Sequence, residues 1–283
     1  MTYDPSKYAD LSYSTEWLVR AAATNRAFLD LKSPRDPRVL QAIGRVDRRR
    51  FLDDTVVTLN HAQAEDLDRL AATLFAIQGA ESSRIIIPGS KPGPTANDLR
   101  ISAIKTLRNL TVASVPVREL AYNDVPYPIG YEMSCSQPSL VAFMDDVLDL
   151  QPGYNILEVG AGCGYHAAVT AELIGKDGRL TTVEIVPGLA VKAARNLREY
   201  ENVNVLDADG SRGYAQNSPY DRIYFTAGSK RFDPFYLINQ LNEGGILLYP
   251  DDKAFNLLRR KGNEFSREQF GNVVFTPLTG ENA

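Results

Sequence analysis

Three acidic residues and three alternate glycines have the types and spacing to do chemistry in this chain. Glu158 lies in the apolar run Asn155-Ile-Leu-Glu-Val and is followed by Gly160, Gly162 and Gly164. Glu184 closes Leu180-Thr-Thr-Val-Glu, and Asp209-Gly210 follows Val203-Asn-Val-Leu-Asp. A Gly-rich turn between a buried strand and a helix lets a nucleotide-bearing ligand approach backbone that side chains would otherwise block. The dinucleotide form of that turn is G-x-G-x-x-G. Here the third glycine comes one residue early, and Tyr165 takes the fingerprint position. One acid at a strand end is most often a solvated cap, but three at successive ends define a site. Glu184, about twenty residues past the turn, is placed to accept both hydroxyls of a ribose.

The elements that must position these residues are legible from periodicity. Tyr165-His-Ala-Ala-Val-Thr-Ala-Glu-Leu-Ile continues from the glycine turn as a helix. Pro187 opens another, with Leu189, Ala193, Ala194 and Leu197 on its apolar face. Tyr220–Thr226 reads as a fourth strand and Pro234–Leu241 as a helix. Gly244-Gly245 then leads into a strand over Ile246–Tyr249. This alternation predicts a doubly wound α/β fold, a parallel sheet with right-handed crossovers. The ligand of such a sheet lies beyond the C-terminal strand ends.

Bulk properties narrow the class. A chain of 283 residues is long enough for a large domain plus additions. A formal charge of −4 argues against a nucleic-acid backbone as partner. No apolar stretch is long enough to span a membrane, and the start Met-Thr-Tyr-Asp-Pro-Ser-Lys lacks the segments of a signal peptide. Two cysteines, Cys135 and Cys163, make no disulfide framework, which points to the cytoplasm. With two histidines, His61 and His166, they match no zinc pattern, so no metal is expected.

The E-x-G-x-G-x-G form at Glu158–Gly164 resembles the turn of methyltransferases that use S-adenosyl-L-methionine (SAM). Pro126-Tyr-Pro-Ile-Gly-Tyr-Glu-Met-Ser-Cys-Ser-Gln-Pro138 resembles the L-P-I-G-x-G-Q-T-I-S-Q-P signature of protein-L-isoaspartate O-methyltransferases. The resemblance continues through Glu158–Ala168, Thr182-Val-Glu184, Asp209-Gly210, Pro219-Tyr-Asp-Arg-Ile and Val273–Gly280. Upstream, Arg35–Phe51 looks like that family's N-terminal helix. It implies a Rossmann-like fold that binds SAM and releases S-adenosylhomocysteine. The cofactor residues would be Glu158, Gly160, Gly162, Gly164, Glu184, Asp209 and Gly210. It also implies that Ser136 is the catalytic hydroxyl holding the acceptor carboxylate. Read from the residues alone, Ser136 is an N-cap for the helix beginning near Pro138. The two roles are compatible, since a helix N-terminus favours an anion.

The chain departs from the family pattern on the acceptor side. Asp47 stands where the family has proline, Tyr131–Ser136 replaces G-Q-T-I-S, and Thr226-Ala-Gly-Ser-Lys230 replaces T-A-A-A-P. Residues 53–117 are an insertion. Leu67, Leu70, Ala71, Leu74 and Phe75 suggest one helical face, and Leu99, Ile101, Ile104, Leu107 and Leu110 another. Ile85–Pro94 between them ends in a Pro/Gly-rich loop without phosphate-loop spacing. The expected organisation is an N-terminal helical region over 1–52, a mainly helical insertion over 53–117 and a SAM-binding domain over 118–283.

The implied chemistry needs no His/Asp or Cys/His arrangement. An isoaspartyl carboxylate is ionised at neutral pH, because free carboxylates titrate near pH ~4. His166 therefore reads as a helix-face residue behind the glycine turn, and the cysteines as small packing residues. Three functions follow from the chain. One is a carboxyl O-methyltransferase acting on isoaspartyl, or aspartyl, residues of proteins or peptides. Another is a methyltransferase of the same lineage with a dedicated peptide or small-molecule acceptor. The last is a non-catalytic module that recruits partners. The insertion serves either acceptor recognition or packing on the domain or a twin subunit.

Overall fold

Residues 36–52, 56–61, 111–116, 121–122, 124, 126–229, 231–251, 254–262, 264–271 and 275–283 are described by a computed structural model. The chain divides into two units, Met1–Thr55 with Val117–Ala283, and Val56–Pro116.

Helix α1 (Pro37–Arg45) begins where Asp36 accepts from Arg38 N at 2.9 Å and Pro37 presets the first helical turn. Val39, Ala42 and Ile43 form its buried stripe. A 3₁₀ turn follows over Arg48–Phe51. Its cap is Asp47, whose Oδ1 accepts from Arg49 N at 3.0 Å and from Tyr122 OH at 2.8 Å. Asp47 thus starts the turn and also ties it to Tyr122.

In the second unit, strands β1 (Val56–His61) and β2 (Thr111–Pro116) pair antiparallel, with Val56 opposite Pro116 and His61 opposite Thr111. The sequence pattern did not mark these strands. The two expected helical faces and the Pro/Gly-rich run between them lie outside the described residues, as do residues 1–35.

The first unit continues with a hairpin, β3 (Tyr127–Gly130) and β4 (Met133–Cys135), and then helix α2 (Pro138–Leu148). After it come β5 (Asn155–Val159), α3 (Tyr165–Ile174), β6 (Arg179–Glu184), α4 (Pro187–Asn196) and β7 (Val203–Asp207). The chain ends with β8 (Tyr220–Phe225), α5 (Phe235–Ile238), β9 (Leu241–Pro250), β10 (Phe255–Lys261) and β11 (Glu264–Phe270). The main sheet has the order β11-β10-β9-β8-β5-β6-β7. Strands β5 to β9 are parallel, whereas β10 runs antiparallel to both its neighbours. The chain leaves β5 in one direction and returns to its other side with β8. The switch point of the sheet therefore falls at β5, where such folds hold ligands.

Leu157, Val159, Val183, Ile223, Phe225 and Leu247 are buried together in the core of this sheet. Ala194 is exposed, and the buried stripe of α4 is Leu189, Ala190 and Ala193, joined by Leu197 just beyond. The helix expected over Pro234–Leu241 is shorter, because Leu241 already pairs with Tyr220 in β9. A bulge between Tyr220 and Arg222 takes up the extra residues Asn242–Gly245, with Gly244 at φ +72°. The antiparallel edge strands have no clean alternation, since four of seven residues in β10 are buried and most of β11 is exposed. Among the described residues, no helix is long and apolar enough to cross a membrane.

Candidate active site

Beyond the C-terminal ends of β5 and β6 lies a cavity of about 80 Å³. One wall is the turn from β5 into α3. Gly160, Gly162 and Gly164 have φ +101°, +55° and +87°. A Cβ on Gly160 would overlap Thr226 Oγ1, and one on Gly164 would come within 2.9 Å of Leu197 Cδ1. Only glycine satisfies both the backbone angle and the close approach. The N–H groups of Gly160 and Ala161 donate to Val183 O at 2.8 and 3.2 Å, and that of Gly164 donates to Ala161 O at 2.8 Å. Glu184 completes this wall. Its Oε2 accepts from Gly162 N at 2.8 Å and its Oε1 from Val186 N at 3.0 Å.

The opposite wall comes from distant parts of the chain. Met133, Cys135 and Ser136 line it from the hairpin, Thr226 and Ala227 from the end of β8, and Thr276–Thr279 from the C-terminal segment. Gly228 holds that segment, donating to Thr276 O at 2.9 Å and accepting from Leu278 N at 2.8 Å. At the hairpin turn Tyr131 and Glu132 have φ +56° and +60°, a left-handed pair in non-glycine residues. Tyr131 is 61% exposed.

Of the residues expected to form the site, Ser136, Gly160, Gly162, Glu184 and Gly210 line this one cavity. Gly164 stands behind the turn against Leu197. Glu158 is fully buried and is not among the residues that line the cavity. The sheet register sets it between Thr182 and Tyr224, and Thr182 Oγ1 donates to its Oε2 at 2.5 Å. Burial raises its pKa to about 7. Asp209 also falls outside the lining. Its Oδ1 accepts from Ser211 N and its Oδ2 from Glu281 N, both at 2.8 Å. Partial burial would raise its pKa, but these two backbone donors outweigh it and the net shift is downward. Asp209 therefore anchors the C-terminal segment instead of facing the cavity.

Ser136 is not the N-cap of α2. Gln137 occupies that position without a side-chain cap bond, and Asp124 Oδ1 accepts from Ser139 N at 2.8 Å in its place. An anion already serves that helix end, so the site cannot count on it for a second one. Ser136 is positioned through its backbone. Nη2 of the fully buried Arg48 donates to Ser136 O at 3.0 Å and to Cys135 O at 3.4 Å, while Nη1 donates to Ala121 O at 3.2 Å. The guanidinium also lies 5.3 Å from the Tyr127 ring centroid and 5.5 Å from that of Tyr165. Arg48 stands in the run Arg48-Arg49-Arg50, where nothing local tells a buried arginine from a solvated one, so the sequence hides this residue.

His166 is behind the turn, as its helical position suggested, although it also lines the cavity. Its Nε2 is 3.0 Å from Asp145 Oδ1, which also accepts from Thr170 Oγ1 at 3.3 Å. Thr170 Oγ1 and Tyr224 OH are 2.9 Å apart, and the His166 and Tyr224 rings are 4.6 Å apart. Burial would lower the His166 pKa, but the Asp145 carboxylate prevails and raises it. Asp145 itself is raised by burial.

The family described as protein-L-isoaspartate(D-aspartate) O-methyltransferase matches residues 90–283 of this chain. A protein-L-isoaspartate O-methyltransferase of Methanococcus maripaludis is 44% identical over 188 residues, which cover 64% of this chain and 88% of the relative. Protein-L-isoaspartate O-methyltransferase 1 of Archaeoglobus fulgidus is 40% identical over 205 residues, 71% of this chain and 94% of the relative. Among solved structures, a protein-L-isoaspartate O-methyltransferase superposes with a TM-score of 0.63 at 22% identity, covering 95% of this chain and 67% of its own. A Plasmodium falciparum protein assigned to the same activity, solved with S-adenosyl-L-homocysteine, gives 0.59 at 18% identity and covers 94% and 97%. At these identities the structural likeness is one of fold.

Proposed function

The chain belongs to the protein-L-isoaspartate(D-aspartate) O-methyltransferase family, and on that footing we propose that it methylates the free α-carboxylates of isoaspartyl residues in proteins or peptides, with SAM as donor. The observation that carries this reading is that Ser136 and Glu184 border one cavity from different walls. The residues present fit the cofactor. Each oxygen of Glu184 accepts one backbone N–H, which leaves lone pairs for the two ribose hydroxyls. Gly160, Gly162 and Gly210 offer backbone that a bulky ligand can approach. Glu158 and Gly164 support the turn from behind, and Asp209 holds the segment that closes the far rim. When bound, SAM supplies a methyl carbon on a positively charged sulfur.

The acceptor arrives as a carboxylate, since such groups titrate near pH ~4, and no general base is needed. Ser136 donates its hydroxyl proton to one carboxylate oxygen and leaves the other free to attack. Arg48 fixes the Ser136 backbone, so the donor does not wander. The walls exclude water and hold the reacting atoms in line. The resulting methyl ester has a better leaving group than the carboxylate. The following backbone nitrogen can then attack the ester carbonyl and expel methanol, closing a succinimide whose hydrolysis returns part of the residue to aspartate.

Incubation with labelled SAM and an isoaspartyl peptide tests the reading. It predicts label that is released as methanol by mild base, as an ester requires. Base-stable label would overturn the carboxyl assignment.

The insertion carries a narrower proposal, that residues 53–117 choose the acceptor. Because β1 and β2 pair with Val56 opposite Pro116, the segment leaves and re-enters the chain at one place. A short linker can therefore replace it, and such a variant should still bind SAM but change its choice of acceptor. Unchanged rates on every acceptor would defeat this role. A change from oligomer to monomer by light scattering would make the segment an assembly element. A cytoplasmic setting suits the two unbridged cysteines.

A further inference from the structure

The methyl-transfer chemistry leaves Cys135 and Cys163 without a task, yet both are buried, free and part of the cavity lining. Cys163 sits between Gly162 and Gly164, and Cys135 immediately precedes Ser136. The two thiols line that cavity from its two walls, and Cys135 Sγ donates to Ser136 O at 3.7 Å. The surroundings are electropositive. The Arg48 guanidinium bonds the Cys135 carbonyl, and Lys192 Nζ donates to Ile129 O of the same hairpin at 3.3 Å. The neighbouring Cys163 thiol lowers the Cys135 pKa, and the Arg48 and Lys192 charges add to this against the opposing effect of burial. The Cys135 thiol and burial push Cys163 up. One sulfur is thus a ready nucleophile and the other keeps its proton.

We propose that Cys135 and Cys163 form a peroxide-reactive dithiol site, whose oxidation joins the acceptor hairpin to the glycine turn by a disulfide. The Cys135 thiolate attacks one oxygen of hydrogen peroxide and the O–O bond breaks. Hydroxide leaves and takes up a proton as water, and Cys135 becomes a sulfenic acid. The Cys163 sulfur then attacks the Cys135 sulfur and the S–O bond breaks. The hydroxyl departs as a second water with the Cys163 proton. Two thiols have lost two electrons and two protons, and peroxide has become two waters. Peroxide is small enough to enter the cavity and reach thiols that are 4% and 2% exposed. A disulfide needs sulfurs about 2.05 Å apart, closer than any hydrogen-bonded contact, so its formation draws the walls together. Gly162 and Ser136 flank the two cysteines, and the link therefore closes the site. That consequence rests on the proposed function; the disulfide does not.

The test treats the full-length protein with hydrogen peroxide and reads it by mass spectrometry without reduction. The proposal expects a loss of two hydrogens and a digest peptide joining Cys135 to Cys163, both reversed by dithiothreitol. Cys163→Ser should instead accumulate a sulfenic acid at Cys135 that dimedone traps, and Cys135→Ser should give neither product. If both thiols still react with iodoacetamide after denaturation, or if only links between separate chains form, the proposal is overturned. Adding SAM beforehand should slow the link severalfold. A link that forms at the same rate with and without SAM supports the dithiol site while counting against the cofactor's place beside it.

Discussion

The glycine wall and the acceptor wall of the cavity are stabilised in different ways. The glycine wall is backbone bonded to backbone and to one carboxylate, with Gly160, Ala161, Gly162 and Gly164 all donating within the sheet and its turn. The acceptor wall is a two-strand hairpin tied by long side chains, Arg48 to Ser136 O and Lys192 to Ile129 O, together with a C-terminal segment pinned at Gly228 and Asp209. Its turn puts the exposed Tyr131 hydroxyl against Gly188 at the start of α4. Backbone ladders fix a ligand pose within narrow limits, whereas side-chain ties can be exchanged one at a time.

This contrast makes graded predictions. Gly160→Ala should have the largest effect. It forces an L-residue to φ +101° and drives Cβ into Thr226 Oγ1, which bonds Gly160 O at 2.6 Å. Backbone strain of order 1–3 kcal/mol plus that clash should cut SAM affinity about a hundredfold or prevent folding. Calorimetry alongside a melting curve reads both, and wild-type affinity would show that the wall is softer than it looks. Glu184→Ala comes next. Losing charge-assisted bonds worth about 1.5–3 kcal/mol should weaken SAM binding about ten- to one-hundred-fold. Unchanged affinity would dismiss Glu184 as the ribose ligand.

Ser136→Ala should spare the first wall and damage the second. One charge-assisted bond to the acceptor is worth about 1.5 kcal/mol or more, so methyl transfer should fall about tenfold or further. SAM affinity should stay within a few-fold, and equal transfer rates in variant and wild type would remove Ser136 from the mechanism.

The smallest effect concerns the buried acid beneath the glycine wall. Folded Glu158 keeps its proton to about pH 7, whereas its ordinary value is 4.5. The folded state binds more protons between those values, so stability falls as pH rises through that window. Asp145 and His166, both raised, act with the same sign. Glu158→Gln removes the Glu158 share and should flatten the fall by about 1–3 kcal/mol. Urea titrations from pH 5 to 8 would show it, and parallel curves for the two proteins would contradict the burial argument.

How far the sequence was legible follows the same division. Glu158–Gly164 and Glu184 are close in the chain and lie on strands that periodicity identifies, so the glycine wall could be read in advance. The acceptor wall joins residues 48, 133–136, 226–228 and 276–279, which no local pattern connects. Arg48 was invisible because a buried arginine and a solvated one look alike in a run of three. That Glu158 and Asp209 fall outside the cavity lining was hidden for a related reason. A strand-end acid can turn into the cavity, back toward Thr182, or onto the Ser211 and Glu281 amides, and only tertiary contacts decide which. The β9 bulge and the antiparallel edge strands escaped because they depend on pairing partners.

The most direct test of the account compares labelled methyl transfer to an isoaspartyl peptide and to its matched aspartyl peptide, with Ser136→Ala measured beside the wild-type protein. The account predicts base-labile label on the isoaspartyl peptide well above that on the aspartyl one, with Ser136→Ala lowering it. Equal labelling of the two peptides, or label only on the aspartyl form, would contradict it.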